Sequence, residues 1–501
     1  MAGSSGYVPL TQNKSDASPS QNNQNTESLA QVPFKLDLDD DFGDDVITNH
    51  DDVELEAFDF IEEPASSGPP QGTSDMKMAF MNMANSILGA GIIGQPFAFK
   101  NCGLVGGIIV MVFLTFLIDW TLRLIVINAE LSNTNLYQDF VYKCYGKWGK
   151  IVLLVSISFF AYGGCMAFCV IIGDTIPHVL KAVLPTSITG PQSVVSWVFS
   201  RNFIIVFFTS CVSYPLSLNR DISKLAKASG FALVGMSIIV VITVCRAPFI
   251  DKSLRTPLTV QEWTINSNIF QGISVISFAL VCHHNTIYIY NSLRNATIDK
   301  FSKITHIACG ISVVFCGVMG INGLLVFGDD TKGNVLNNFK SSDNWINLAR
   351  FCFGLNMLTT FPLEIYVVRD VIKEVILASK SEDGTTSHLE LNNRQHIAIT
   401  SVLVFSSMAV SLFTCNLGII LELIGATSAS LMAYILPPLC YLKLSWLEHN
   451  SKGNASMLDR DFLIWKAIPS ISCVTFGFVL MIFSTIGSLT APGSNEHCVI
   501  D

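Results

Sequence analysis

The sequence is poor in charge. Asp, Glu, Lys and Arg make up only 14% of its 501 residues, while half of the chain is apolar. That excludes an ordinary soluble globular domain, in which about 25% of residues are charged. The signatures of common chemistry are missing too. There is no HExxH pair, no P-loop lysine and no Ser-His-Asp arrangement, which speaks against an enzyme. None of the fourteen cysteines stands in a CxxC pair or at a Cys–His metal spacing. Most lie inside apolar runs (Cys165, Cys169, Cys211, Cys245, Cys309, Cys316, Cys352), where a thiol behaves as a small hydrophobe. The start of the chain lacks the basic flank and early apolar run of a cleaved signal peptide, so the first hydrophobic helix must direct its own insertion.

What charge there is lies unevenly. Residues 1–73 hold fifteen Asp and Glu against two Lys, a net of −13, which leaves +4 for the other 428 residues. Stretches such as "SPSQNNQNTES" and "DLDDDFGDD" cannot bury enough apolar surface to offset their ordering entropy. Residues 1–73 therefore read as a disordered acidic tail on the cytosolic side, 74–490 as the transmembrane domain and 491–501 as a short extracytosolic tail. "GYVPL" at Gly6–Leu10 has the form of a tyrosine sorting signal of the endosome–lysosome type.

Apolar runs near the length of a membrane crossing recur through the domain. They fall at about 77–99, 103–127, 149–181, 202–218, 226–246, 268–291, 304–327, 346–371, 395–415, 417–441 and 466–489, which predicts eleven spans. The third is long enough to cross with a strong tilt, and the ninth and tenth, parted only around "CNLG", predict a tight hairpin. With the N-terminus in the cytosol the inner loops and flanks hold seventeen Lys and Arg against nine outside, which favours N-in and C-out. The sequons at Asn13, Asn295 and Asn454 then all face the cytosol and carry no glycan.

The first span contains "GAGIIG" followed by Pro96. Three glycines and a proline loosen the backbone and remove a donor, and a break at that depth is tolerated only where protein or a polar cavity shelters it. Interrupted helices at matching places in two halves are the mark of a carrier. Splitting the first ten spans into five and five sets the first span against the sixth. That span centres on Cys282, His283, His284 and Asn285, polar or polarisable groups in an apolar segment. Each feature also has a plainer reading: GAGIIG as a close helix crossing, and the two histidines as neutral imidazoles bonded to neighbouring carbonyls. An unwound stretch at Gly89, Ala90, Gly91, Ile92 and Gly94 would expose N–H and carbonyl groups, a cage suited to a zwitterionic amino acid.

The eighth span reads "LNMLTTFPLEIYVVRD". Pro362 lacks an N–H, so the carbonyl of Leu358 loses its helical partner, and Thr359 and Thr360 place hydroxyls nearby. These are oxygen donors of the kind a small cation takes, or else threonines bonded back to the preceding turn beside a kink. Asp119 and Arg123, four residues apart, are expected to pair. Glu364 lies one turn from Thr360, and Glu422 is placed to meet a neighbouring helix.

"MANSILGAGIIGQPFAFKNCGL", "YPLSLNRDISKLAKAS", "SFALVCHHNTIYIYNSL", "LTTFPLEIYVVRDVI" and "LELIGATSASLMAYILPPLCYL" together resemble the amino acid/auxin permease family. Within it the chain is most similar to the sodium-coupled neutral amino acid transporters, in the group of their eleventh member, and to the fungal vacuolar amino acid transporters. The resemblance implies an all-α polytopic membrane protein with a five-plus-five inverted-repeat, LeuT-like fold and one added span. It implies substrate contacts from broken helices 1 and 6, here Asn85, Gly89, Ala90, Gly91, Ile92, Gly94, Cys282, His283, His284 and Asn285. It also implies a cation site from Asn85, Leu88, Leu358, Thr359 and Thr360. One departure is that residues 247–267 hold no cysteine and the outer side no sequon, unlike plasma-membrane members, which leaves vacuolar or lysosomal and plasma membranes both open.

The expected function is secondary active transport of neutral amino acids across a membrane, as symport or antiport with sodium or protons. The alternative is an amino-acid sensor with little net transport, its tail contacting a cytosolic partner. The expected partners are the amino acid substrate and membrane lipid, with no nucleic acid, no cofactor beyond the coupling ion, and no metal beyond sodium.

Overall fold

The computed structural model describes residues 72, 74–189, 196–220, 229–378, 391–451 and 460–490. All but Gly72 of the acidic tail, the Gly6–Leu10 signal, the sequons at Asn13 and Asn454 and segment 491–501 lie outside the described residues. The regular elements among the described residues are helices. Their one β contact is an isolated parallel bridge between Ser74 and Leu293.

Helix α1 runs Met76–Ile87 and α2 Gln95–Cys102, with the tight turn Ala90–Gly94 between them. Next come α3 (Leu104–Ser132) and α4 (Tyr137–Val183). Helix α5 (Arg201–Phe208) continues through a widened turn to Ser217, and α6 is Ser229–Arg246. The second broken element is α7 (Ile269–Leu280) and α8 (Thr286–Ser292), followed by α9 (Ile298–Phe327), α10 (Asn344–Ala378) and α11 (Asn393–Phe413). Helix α12 (Leu417–Ile424) passes through two widened turns into α13 (Leu436–Ser451), and α14 is Ile468–Thr490.

Nine helical runs among the described residues are long and apolar enough to cross a membrane. The other two predicted spans fall on the interrupted pair α1–α2 and on the shorter run 201–217. Burial ranks the helices by position. The most apolar window of Ile269–Ser292 is 83% buried and that of Leu417–Asn450 is 78%, so these form the centre; Asn393–Phe413, at 28%, is peripheral. Large apolar side chains such as Phe116 and Phe413 stand fully outward on this all-helical bundle, as lipid-facing residues do.

Two expectations change in the structure. Helix α4 begins well before the predicted 149, because residues 137–145 are already helical, and Gly146 (φ 64°) bends the chain where only glycine is comfortable. The link at residues 414–416 is short, yet α11 and α12 do not form a packed hairpin. Helix α11 leans on α4, while α12 packs on α7 and α4. Arg201 is buried and holds the end of α11, donating to the carbonyls of Ser411 (3.2 Å) and Thr414 (2.9 Å). Its Nε donates to Asp174 Oδ1 at 3.1 Å, and Asn337 donates to Asp174 Oδ2 at 3.0 Å. This network ties α4, α5, the end of α11 and the loop before α10 together, with the charges matched as burial demands.

The centre is held by close approach. A Cβ on Gly425 would lie 1.9 Å from the Ser274 carbonyl oxygen, so only glycine lets the 417–450 helix reach α7. Gly425→Val is therefore expected to sharply reduce the monodisperse fraction in detergent, since overpacking costs about 1–3 kcal/mol or more. Gly317→Ala on α9, where a Cβ meets nothing within 4 Å, should leave it unchanged. Equal yields would contradict this packing.

Candidate functional site

The first break follows from local chemistry. Helix α1 ends where Leu88 (φ −82°, ψ 50°) and Gly89 (φ −88°, ψ −147°) leave helical geometry. Pro96 sits in the first turn of α2, where its missing N–H is no loss. The Gln95 side chain folds back and donates from Nε2 to the Gly91 carbonyl at 3.0 Å, recovering one of the freed acceptors inside the bundle.

The second break has neither glycine nor proline. Helix α7 ends at Leu280, Val281 (φ −80°, ψ 116°) is extended, and Cys282 (φ −126°, ψ 23°) is irregular before the single turn His283–Asn285 starts α8. Side chains from other helices hold it open. His283 Nε2 lies 2.9 Å from Thr121 Oγ1 of α3, and Asn285 Nδ2 donates to Ser86 Oγ of α1 at 3.4 Å. The two breaks touch: a Cβ on Gly91 would be 2.4 Å from Cβ of Ala279, the residue before the last of α7.

Between them lies a cavity of about 640 Å³. The first break contributes Asn85, Ser86, Gly89, Ala90 and Gly91, and the second Ala279, Val281, His284 and Asn285. Helix α4 supplies an apolar wall with Phe160, Gly164 and Phe168, and α10 a polar one with Asn356, Thr360 and Glu364. Toward the side on which α1 and α4 begin, the lining continues through Gln138, Asp370 and Glu374. The lining thus holds three carboxylates and neither Lys nor Arg. Lys150 stands 2.5 Å from Glu374. Two buried lining atoms, His284 Nδ1 and Glu364 Oε2, have no hydrogen-bond partner among the described residues. The His284 ring packs on Phe160, with centroids 5.3 Å apart.

Of the residues singled out from sequence, Asn85, Gly89, Ala90, Gly91, His284, Asn285 and Thr360 line this cavity. Leu88, Ile92, Gly94, Cys282, His283 and Leu358 are buried in the protein and are not part of the lining, Gly94 being pressed on Leu421. Thr359 also lies outside it. Thr359 and Thr360 both donate to the Asn356 carbonyl, at 2.9 and 2.8 Å, as back-bonded threonines do, which leaves the lone pairs of both hydroxyls free. Asp119 and Arg123 pair at 3.0 Å, with His306 on the other carboxylate oxygen at 2.8 Å. Glu422 accepts from Asn101 (3.0 Å) and Ser488 (2.8 Å), bracing α12 to α2 and α14 away from the cavity. Sequence reasoning missed the α4 wall. Its only signal was the glycine pair 163–164 within an apolar run.

The family described as "Transmembrane amino acid transporter protein" matches residues 72–490. The chain is 48% identical over 432 residues to the "Vacuolar amino acid transporter 2" of Saccharomyces cerevisiae, covering 85% of this chain and 86% of that one. It is 34% identical over 375 residues to the "Putative sodium-coupled neutral amino acid transporter 11" of Danio rerio, covering 75% and 80%. The "Sodium-coupled neutral amino acid transporter 7" of Xenopus laevis is 30% identical over 399 residues, covering 78% and 86%.

The glycines of the first break divide by what surrounds them. A Cβ on Gly89 meets nothing within 4 Å, whereas one on Gly91 collides with α7. Gly91→Val is expected to lower the thermal midpoint in detergent by several degrees, and Gly89→Val to leave it close to wild type while filling part of the cavity. Equal midpoints for the two variants would contradict the contact between the breaks.

Proposed function

The chain belongs to the family of transmembrane amino acid transporters, and on that premise we propose that it carries neutral amino acids across its membrane by alternating access around the two breaks. The observation that supports this most is that both interrupted helices open onto one cavity. Main-chain N–H groups that a break releases would suit a carboxylate and released carbonyls an ammonium, and a break at that depth is tolerated only where protein shelters it. The chain is a transporter, not an enzyme, and it is a multi-pass membrane protein.

We propose further that the ten spans before α14 form a five-plus-five inverted repeat, with the N-terminus cytosolic and the C-terminus outside. The yeast relative's name, together with the absence of cysteine from residues 247–267, supports a vacuolar-type membrane. The acidic tail, with a net charge of −13, is then a cytosolic contact surface for a partner.

Uphill movement needs a coupled cation. A tenfold gradient supplies about 1.4 kcal/mol and ~60 mV about as much again per charge, so one cation supports on the order of hundredfold accumulation. For sodium, the side chains of Asn85 and Thr360 with the carbonyls of Leu88 and Leu358 and the Thr359 hydroxyl are the proposed ligands. For a proton, His284 is the proposed carrier, because it lines the cavity while His283 is engaged by Thr121.

Uptake of labelled amino acids into proteoliposomes, with sodium and pH varied separately, tests this. Concentrative uptake that collapses with the cation gradient is expected. Saturable binding without accumulation would instead make the chain a sensor. Asn85→Ala and Thr360→Ala should raise the half-saturating sodium concentration if sodium couples. If protons couple, His284→Gln should flatten the pH profile and His283→Gln should mainly lower folded yield. Unchanged ion dependence in Asn85→Ala, Thr360→Ala and His284→Gln alike would contradict the proposed cation sites.

A further inference from the structure

We propose that Glu364 and His284, set against α4, form a side-chain subsite that takes the cationic side chain of a basic amino acid. This rests on the transport reading above and extends the substrate range beyond the neutral class.

On the transport reading the main chain at the two breaks meets the backbone of the amino acid, which leaves Glu364 for its side chain. Glu364 Cγ lies 3.9 Å from where a Cβ on Gly164 would stand, and the His284 ring packs on Phe160. Phe160 and Gly164 are one turn apart on α4, so both polar groups face the same strip of that helix. Gly164 lines the cavity, and a Cβ there would stand in ordinary contact with Glu364 and Phe168, so the glycine keeps the wall beside the carboxylate thin. Glu364 and His284 both line the cavity, and the Oε2 and Nδ1 atoms they hold against the wall have no partner among the described residues, a costly state that a small rotation toward a bound cation relieves. A carboxylate oxygen can only accept, and an ammonium or guanidinium brings several N–H donors. The aromatic wall of Phe160 and Phe168 suits the aliphatic stem and a cation beside it.

The charge of the whole lining agrees. Its three carboxylates stand with no Lys or Arg among the lining residues, and Lys150 is committed to Glu374 near the mouth. Such a cavity draws cations and repels a second carboxylate, so acidic amino acids are excluded.

Proteoliposomes holding the full chain, offered labelled lysine, arginine, leucine, alanine or glutamate from outside, test the proposal. Lysine and arginine should enter and should compete with leucine, and glutamate should do neither. Glu364→Gln, which keeps shape but not charge, should lower the lysine-to-leucine uptake ratio about tenfold or more. Gly164→Val, whose Cβ meets only ordinary contacts, should lower the arginine-to-alanine ratio by filling the space beside Glu364, and it decides the matter should Glu364→Gln fail to fold. Leucine transport without entry of, or competition by, lysine and arginine would overturn the subsite and leave the transport reading standing. So would an unchanged lysine-to-leucine ratio in a folded Glu364→Gln protein, even one with an altered pH profile. If no amino acid of any class enters, the transport reading fails and the subsite with it.

Discussion

A peptide group stripped of its hydrogen bond inside hydrocarbon costs several kcal/mol, so a membrane helix is interrupted only where something else meets its freed groups. This chain carries two such interruptions, at Leu88–Gly89 and at Val281–Cys282, each near the middle of a long apolar segment. Most of the central architecture shelters them. Gln95 takes up the Gly91 carbonyl, and α3 reaches His283 through Thr121. The buried 417–450 helix closes against α7 through Gly425. Both breaks border one cavity, which is the proposed place for the amino acid.

The same accounting separates residues that look alike in sequence. His283 and His284 are neighbours on one tight turn, yet they part company: one meets Thr121 and the other lines the cavity against Phe160. Glu364 and Glu422 are both carboxylates within the spans. Glu422 is satisfied by Asn101 and Ser488 and braces three helices, whereas Glu364 keeps an oxygen free. Glu422 is thereby a brace of the fold, while Glu364 borders the cavity.

The helical class, most of the span positions and the first break were legible because hydropathy, glycine and proline act locally. The Asp119–Arg123 pair was legible for the same reason, since four residues on a helix fix its geometry. The second break left no glycine or proline to read and was placed from its polar residues and its match to the first; the groups that meet it, Thr121 and Ser86, are each more than 150 residues away in the chain. The α4 wall was invisible for a related reason. Phe160, Gly164 and Phe168 belong to an ordinary apolar run, and only packing turns one face of it toward the breaks. The diverging α11 and α12 were likewise not legible, and the hold of Arg201 on Ser411 and Thr414 is announced by no local pattern. Gly94 reads like its neighbours in GAGIIG but serves a contact with Leu421, so spacing alone did not separate the open positions from the packed ones.

A cryo-electron microscopy map of the protein in lipid nanodiscs with a transported amino acid at saturating concentration is the most direct test of the central claim. The account predicts ligand density bounded by residues 88–91 and 281–285, with the carboxylate and ammonium against main-chain groups and both helices still interrupted. Density elsewhere, or a continuous helix through Leu88 and Gly89 in the occupied state, would contradict it.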